Sequence, residues 1–270
     1  TDAALNSALA VDWVQSVQID KADGGVVIAG TRDFVAGYSL PFVEKVAKTL
    51  DGSGNTLTAW LSTIDDHGIV DPVGYASSYA LAGDNSGNSY LAGGPSSPGD
   101  VFIEKLEVTG DQHWTQIWQM GLIGNDLSMV VNNGALYLTG AFAGTAHMGN
   151  QTLSSVQGSI DIFIAKVDNR DGTVLWARSV GGAGDDASGA IQVDGSGNVT
   201  VTGAVVDGTA DLDPGPGVFY STSAGTGEQA FLIKLNNAGM MGHLPSGVIT
   251  LSGSAVQGGS VTANASALTD

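Results

Sequence analysis

Phe163-Ile164-Ala165-Lys166-Val167 occurs in four versions along this chain, and that recurrence decides the fold. The others are Phe42-Val43-Glu44-Lys45-Val46, Phe102-Ile103-Glu104-Lys105-Leu106 and Phe231-Leu232-Ile233-Lys234-Leu235. Upstream of each stands an apolar run ending in glycine: Val26 to Gly30, Ser89 to Gly93, Leu136 to Gly140 and Val199 to Gly203. A strand-like run precedes that one in turn, at Val17 to Asp20, Tyr79 to Ala82, Met129 to Val131 and Ile191 to Val193. Turns such as Asp84-Asn85-Ser86-Gly87-Asn88 and Asp194-Gly195-Ser196-Gly197-Asn198 separate the two runs, as in a hairpin. Another turn follows each lysine motif. Trp60, Trp114 and Trp176 then mark a further strand in the first three segments, where the fourth has Met240-Met241-Gly242-His243.

Each segment therefore reads as a four-stranded meander, the size of one propeller blade. The lysine-motif strands carry apolar residues on both faces: Phe102 and Leu106 share one, Ile103 lies on the other. A sheet with two apolar faces has to be covered on both sides. Blades around an axis do this and leave short edges, whereas a two-sheet sandwich favours strict alternation. The expected fold is all-β, a propeller of four four-stranded blades, or five if the terminal segments add one. Residues 1–245 form the repeat domain and 246–270 an extended β tail. Strands from both chain ends are expected to close the blade that lacks its Trp strand. A short helix is left open at Thr1 to Ala10.

The repeated lysine is expected to pack its stem between blades and to reach a carboxylate or carbonyls, with Asp185 and Asp186 as partners for one copy. The glycine-to-phenylalanine distances are 12, 9, 23 and 28 residues, so the third and fourth segments carry extra chain, Ala141 to Ile162 and Ala204 to Ala230. Long insertions on one face often bind.

Forty glycines require many turns, yet 43% apolar residues can fill a core. The net charge of −18 repels phosphate backbones and makes nucleic acid a poor partner. Divalent cations suit it better. With no cysteine, disulfides, Cys-based zinc sites and thiol nucleophiles are excluded. No apolar run approaches a membrane span. The opening at Thr1, without Met, reads as a processed or excised chain.

Asp207, Asp211 and Asp213 are the candidate metal ligands. Asp-x-Asp beside Pro and Gly resembles part of an oxygen-rich calcium loop, against the alternative of a rigid turn. Asp65-Asp66 and Asp185-Asp186 could each supply half of a carboxylate pair. His67, His113, His147 and His243 lack metal spacing, and no G-x-S-x-G elbow is present. Tyr38, Tyr75, Trp118 and Tyr220 lie nearer loops, where aromatics beside carboxylates suit sugar rings.

From Gly181-Gly182-Ala183-Gly184-Asp185-Asp186, through Val193 to Val199, Val201-Thr202-Gly203 and Asp211 to Phe219, to Phe231 to Leu235, the chain resembles the bacterial β-propeller repeat family labelled SBBP. The resemblance is strongest from about Ile160 to Gly239 and spans roughly residues 13 to 245. It implies a propeller in a secreted or cell-surface bacterial protein, with no agreed catalytic set. Gly247 to Gly253 and Gly258 to Asn264 are similar to the opening strands of bacterial immunoglobulin-like repeats. The expected function is a non-catalytic surface module for adhesion or extracellular assembly. Its partners would be other subunits of the same protein or a surface polysaccharide, with no membrane insertion. A lectin-like propeller and a secreted polysaccharide hydrolase or lyase are the alternatives.

Overall fold

The computed structural model describes residues 12–33, 39–50, 56–63, 77–94, 99–121, 127–206, 208–222, 227–242, 250–253 and 261–264. The Thr1 to Ala10 segment lies outside them. The described chain is all-β and antiparallel, with a single 3-10 turn at Val156–Gly158. Four meanders follow in chain order. The first sheet is β1 (Asp12–Ile19), β2 (Val26–Asp33), β3 (Ser39–Leu50) and β4 (Thr56–Thr63). The second is β5 (Ser77–Gly83), β6 (Ser89–Gly94), β7 (Asp100–Leu106) and β8 (Gln112–Gln119). The third opens with β9 (Ser128–Asn132) and β10 (Ala135–Ala143), leaves for the hairpin β11 (Thr145–Met148) and β12 (Gln151–Ser154), and returns through β13 (Ile160–Asp168) and β14 (Val174–Gly182). The fourth is β15 (Ala187–Val193), β16 (Val199–Val206) and β19 (Glu228–Leu235), interrupted by the hairpin β17 (Thr209–Asp211) and β18 (Tyr220–Thr222). In the tail, β20 (Thr250–Gly253) and β21 (Val261–Asn264) pair as a two-stranded sheet.

The registers explain the motif. The terminal glycine of each apolar run pairs with the phenylalanine of the following motif in all four sheets: Gly30 with Phe42, Gly93 with Phe102, Gly140 with Phe163 and Gly203 with Phe231. A Cβ on Gly140 or Gly203 would stand 2.7 Å from the paired phenylalanine ring, so the ring occupies the space a side chain would need. The motif lysine pairs with the tryptophan of the next strand in the first three sheets: Lys45 with Trp60, Lys105 with Trp114, Lys166 with Trp176.

Successive sheets pack face to face, and three core clusters lie between them. Val27, Ala29 and Val43 meet Leu91, Phe102 and Leu106 between the first and second sheets. Tyr90, Ile103 and Trp118 meet Leu136, Leu138 and Phe163 between the second and third. Tyr137, Ile162 and Ile164 meet Ile191, Val199 and Val201 between the third and fourth. No core cluster of the described residues joins the fourth sheet to the first. The structure thus carries the expected all-β class and order of meanders, and the core clusters among the described residues do not themselves close a four-bladed ring. Among the described residues the fourth sheet has three strands, and its place for a fourth holds one bridge, Leu235 to Met241. Strands from both chain ends do not complete it among the described residues, because β1 is committed to the first sheet.

The two insertions, expected as loops, are strands that reach backwards. The β11–β12 hairpin joins the outer strand of the second sheet through His147 and Gln119. The β17–β18 hairpin joins β14 of the third sheet through Gly181–Asp211 and Gly182–Ala210. Gly144-Thr145-Ala146-His147-Met148 and Gly208-Thr209-Ala210-Asp211-Leu212 are two versions of one motif. Ala146, Met148, Ala210 and Leu212 are buried from it. Each insertion therefore covers an exposed sheet edge and adds its apolar residues to a core.

Candidate functional site

The repeated polar residues serve the joints between sheets. Each tryptophan lies under the glycine of the turn that follows the lysine motif in the next sheet. A Cβ on Gly110 would stand 2.7 Å from Trp60, one on Gly172 2.9 Å from Trp114, and one on Gly239 2.9 Å from Trp176. These glycines have φ of 86, 77 and 74°, which only glycine adopts freely. The indole N–H groups of Trp114 and Trp176 donate to the carbonyls of Asn169 and Asn237 in the same turns, at 3.3 and 3.1 Å.

The lysines follow. Lys45 is buried and bonds Asp20 at 2.5 Å and Asp23 at 2.8 Å. Burial pulls its pKa down, and these two carboxylates outweigh that and hold it above the ordinary value. Lys105 stands 5.9 Å from the centre of the Tyr90 ring. Lys166 stands 5.2 Å from the Tyr137 ring and reaches Asn237 Oδ1 in the next sheet at 2.5 Å. Lys234 pairs with Asp194 at 2.9 Å. The hydrogen bonds of Asp194 to the Asn198 side chain and to Lys234 hold its carboxyl far below the usual range.

Asp185 and Asp186 serve the insertion side instead of a lysine. Asp186 Oδ2 accepts from the Gly182 amide at 2.7 Å and Oδ1 from the Val206 amide at 3.0 Å. Asp185 Oδ1 accepts from the Ile160 amide at 3.0 Å. Asp161 lies close by and accepts from the Val156 amide and the Ser159 hydroxyl. Asp161 and Asp186 crowd Gly181 from both sides, within 2.7 and 2.9 Å of where its Cβ would be. Burial, above all, pushes Asp161 up to about 6 and raises Asp186. The charge of Asp186 adds to the rise at Asp161. Both carboxylates are buried and engaged by backbone amides, so they tie β13, β14 and the insertion together.

Of the candidate metal ligands, Asp207 lies outside the described residues. Asp211 Oδ1 accepts from the amides of Asp213, at 3.0 Å, and Phe219, at 2.9 Å, and so closes the base of the β17–β18 hairpin. Asp213 Oδ1 accepts from the Gly215 amide at 2.8 Å. These are the hydrogen bonds of Asx-type turns, and they engage one oxygen of each carboxylate. Among the described residues no group of three or more His, Asp or Glu side chains is placed to hold a metal ion. Asp65, Asp66, His67, His243, Tyr38 and Tyr75 also lie outside the described residues. His113 pairs with Glu107 at 2.7 Å and His147 contacts Thr152 at 3.4 Å, both in exposed strands.

Trp118, expected near a loop, is fully buried and meets Phe163 edge-on. Tyr220 is where a binding aromatic should be. Val218, Phe219 and Tyr220 are 63, 51 and 65% exposed in sequence, at the far side of the hairpin that Asp211 closes. Tyr220 pairs directly with Asp211, which sets a free phenol ring beside a carboxylate. At the hairpin-turn side of the sheets, a shallow recess of about 390 Å³ is lined by Lys21, Asp84, Asn85, Asn132, Asn133 and Asn169. Three of these groups are already engaged, Asn133 by donating to the Gly195 carbonyl at 3.3 Å. Asp84 accepts from the Ser86 and Asn88 amides, the Asn88 side chain and Tyr90, and Asn132 donates to the carbonyls of Val193 and Asp194.

One residue went unmarked in the sequence. Glu104, inside the second motif, shares a face with Phe102 and Leu106 in the joint between the first two sheets. It is buried, its Oε2 has no hydrogen-bond partner, and burial pushes its pKa up to about 7.

Compared with known proteins, the chain matches no protein-family model and no curated protein.

Proposed function

We propose that the chain is a non-catalytic, propeller-like module of a secreted or cell-surface protein, used for adhesion or extracellular assembly. The observation that carries this reading is the exposed run Val218, Phe219 and Tyr220 on a hairpin whose base is fixed by Asp211. Three consecutive large side chains exposed to water at the entry to β18 form an apolar patch of the kind that marks contact surfaces. The polar motif residues elsewhere support it, because Lys45, Lys166, Asp185, Asp186 and Asp211 are all engaged in holding sheets and turns together. The extracellular setting rests on the resemblance to the secreted propeller repeats.

One observation favours the lectin-like alternative over the hydrolase. Tyr220 stands opposite Asp211 across the hairpin, and an exposed phenol ring beside a carboxylate offers a stacking face and an acceptor for hydroxyl groups. The Phe219→Ala, Tyr220→Ala double variant tests both. It is expected to unfold at the temperature of the parent and to lose retention on insoluble chitin, cellulose or peptidoglycan. Retention unchanged on every matrix that holds the parent would place binding elsewhere.

A further inference from the structure

The three internal joints share one pair of positions, and the molecule holds the two halves of a fourth. On the side of each sheet that faces the next, Val43, Ile103 and Ile164 are fully buried at the second position of the motif. On the side that faces the previous sheet, Leu81, Met129 and Ile191 occupy equivalent positions in the first strands, each opposite the apolar run two residues before its glycine. The residues share the three core clusters in order: Val43 with Leu81, Ile103 with Met129, Ile164 with Ile191. The remaining members are Leu232 of the fourth sheet and Val17 of the first, which pairs with Ile28 in the same way. They are 66 and 68% exposed, at opposite ends of the row. Ile19 and Val14 extend the stripe at 64 and 55%, Val14 being brought to the same face by a bulge between Val14 and Ser16. That bulge recurs between Ser78 and Ala80, opposite the next motif glycine, so β1 is built as a first strand that covers a preceding sheet.

We infer that the free face of the first sheet packs on the free face of the fourth sheet of a second copy, head to tail, continuing the row from one molecule into the next. This inference rests on the assembly reading of the proposed function. The two faces differ, so the contact is heterologous and leaves a free end for each further copy. The joint is weaker than the internal ones. Thr200 stands where Tyr90 and Tyr137 stand, and the fourth sheet carries no tryptophan to slide under a glycine of the next. Association is therefore reversible and depends on protein concentration.

The absence of native cysteine makes a direct test possible, since introduced thiols are the only ones present. Val17→Cys and Leu232→Cys are oxidised mildly, each alone, mixed, and combined in one chain. The mixture is expected to give disulfide dimer at several times the yield of either variant alone, and the double variant to give a ladder of multimers. Dimer no more abundant in the mixture than in the single variants overturns the inference. So does a double variant that closes within one chain, which would mean that the row folds into a ring. Sedimentation of the cysteine-free parent gives the second readout: its mean mass is expected to rise with concentration, and Val17→Lys to hold it at the monomer. A parent that is monomeric throughout but binds polysaccharide through Phe219 and Tyr220 would overturn this inference and leave the proposed function standing.

Discussion

Ile164 and Leu232 occupy the same position of the same motif, yet Ile164 is fully buried and Leu232 is 66% exposed. The third sheet is covered by a fourth, pinned by Trp176 under Gly239 and edged by the β17–β18 hairpin. The fourth sheet has no following sheet among the described residues, no tryptophan strand and no hairpin on its edge. A motif residue here is core or surface according to its neighbour sheet, so the middle and the ends of one repeat row differ in stability and in what they can bind.

The largest expected effect breaks the middle. Ile164→Ala removes buried methyl groups from a packed joint and is expected to cost about 3 kcal/mol. The same change at Leu232 is expected to stay within about 0.5 kcal/mol. Denaturant unfolding of both variants measures this, and equal losses would show Leu232 to be covered in solution. Next comes Gly172→Ala, which forces a side chain into a left-handed backbone and against Trp114, at about 2 kcal/mol.

A smaller effect separates the first joint from the others by pH. Glu104 has a folded pKa of about 7, above its ordinary 4.5. Folding therefore disfavours its ionised form. The penalty is absent below pH about 4.5 and complete above about 7, so stability falls as pH rises through that window, by on the order of 2 kcal/mol. Glu104→Gln is expected to remove the part of this slope nearest pH 7 and leave the fall due to Asp161 between pH about 4 and 6, to which Asp186 adds in the same direction. A slope unchanged in Glu104→Gln would assign it elsewhere.

The smallest expected effect concerns Asp211 and Asp213. With both changed to Asn, the hairpin keeps amide-accepting oxygens and loses about 1 kcal/mol. The turn reading expects that loss to be the same with millimolar calcium as with magnesium at matched ionic strength. A calcium-specific rise in Tm that the double variant abolishes would make the hairpin a cation loop.

The four meanders were legible because their markers are short-range: glycine turns, a lysine at one place, a tryptophan one strand later. What the markers do was less so. Gly30 to Phe42 and Gly203 to Phe231 differ widely in sequence distance, yet both pair across one ladder, and register is not visible in spacing. The insertions were legible as length and read as loops, since their strands are four residues or fewer and pair with the preceding sheet. The shared Gly-Thr-Ala at 144–146 and 208–210 was the available signal. Trp118 was misplaced because the strand that buries it also exposes Ile117 and Gln119 at its end. Glu104 looked like its counterpart Glu44, and only the packing of two sheets separates an acid in a joint from one at an end.

Amide hydrogen exchange at low protein concentration tests the central claim most directly, by comparing β13 with β19. Both strands carry the same motif. In β13 the amides of both sides are paired, with β10 and with β14, whereas among the described residues β19 has β16 on one side and a single bridge on the other. An open end predicts that β13 exchanges slowly throughout, and that the amides of β19 facing away from β16 exchange orders of magnitude faster than those facing it. Slow exchange on both sides of β19 would contradict the account, because it would mean that the fourth sheet is completed and the row has no open end there.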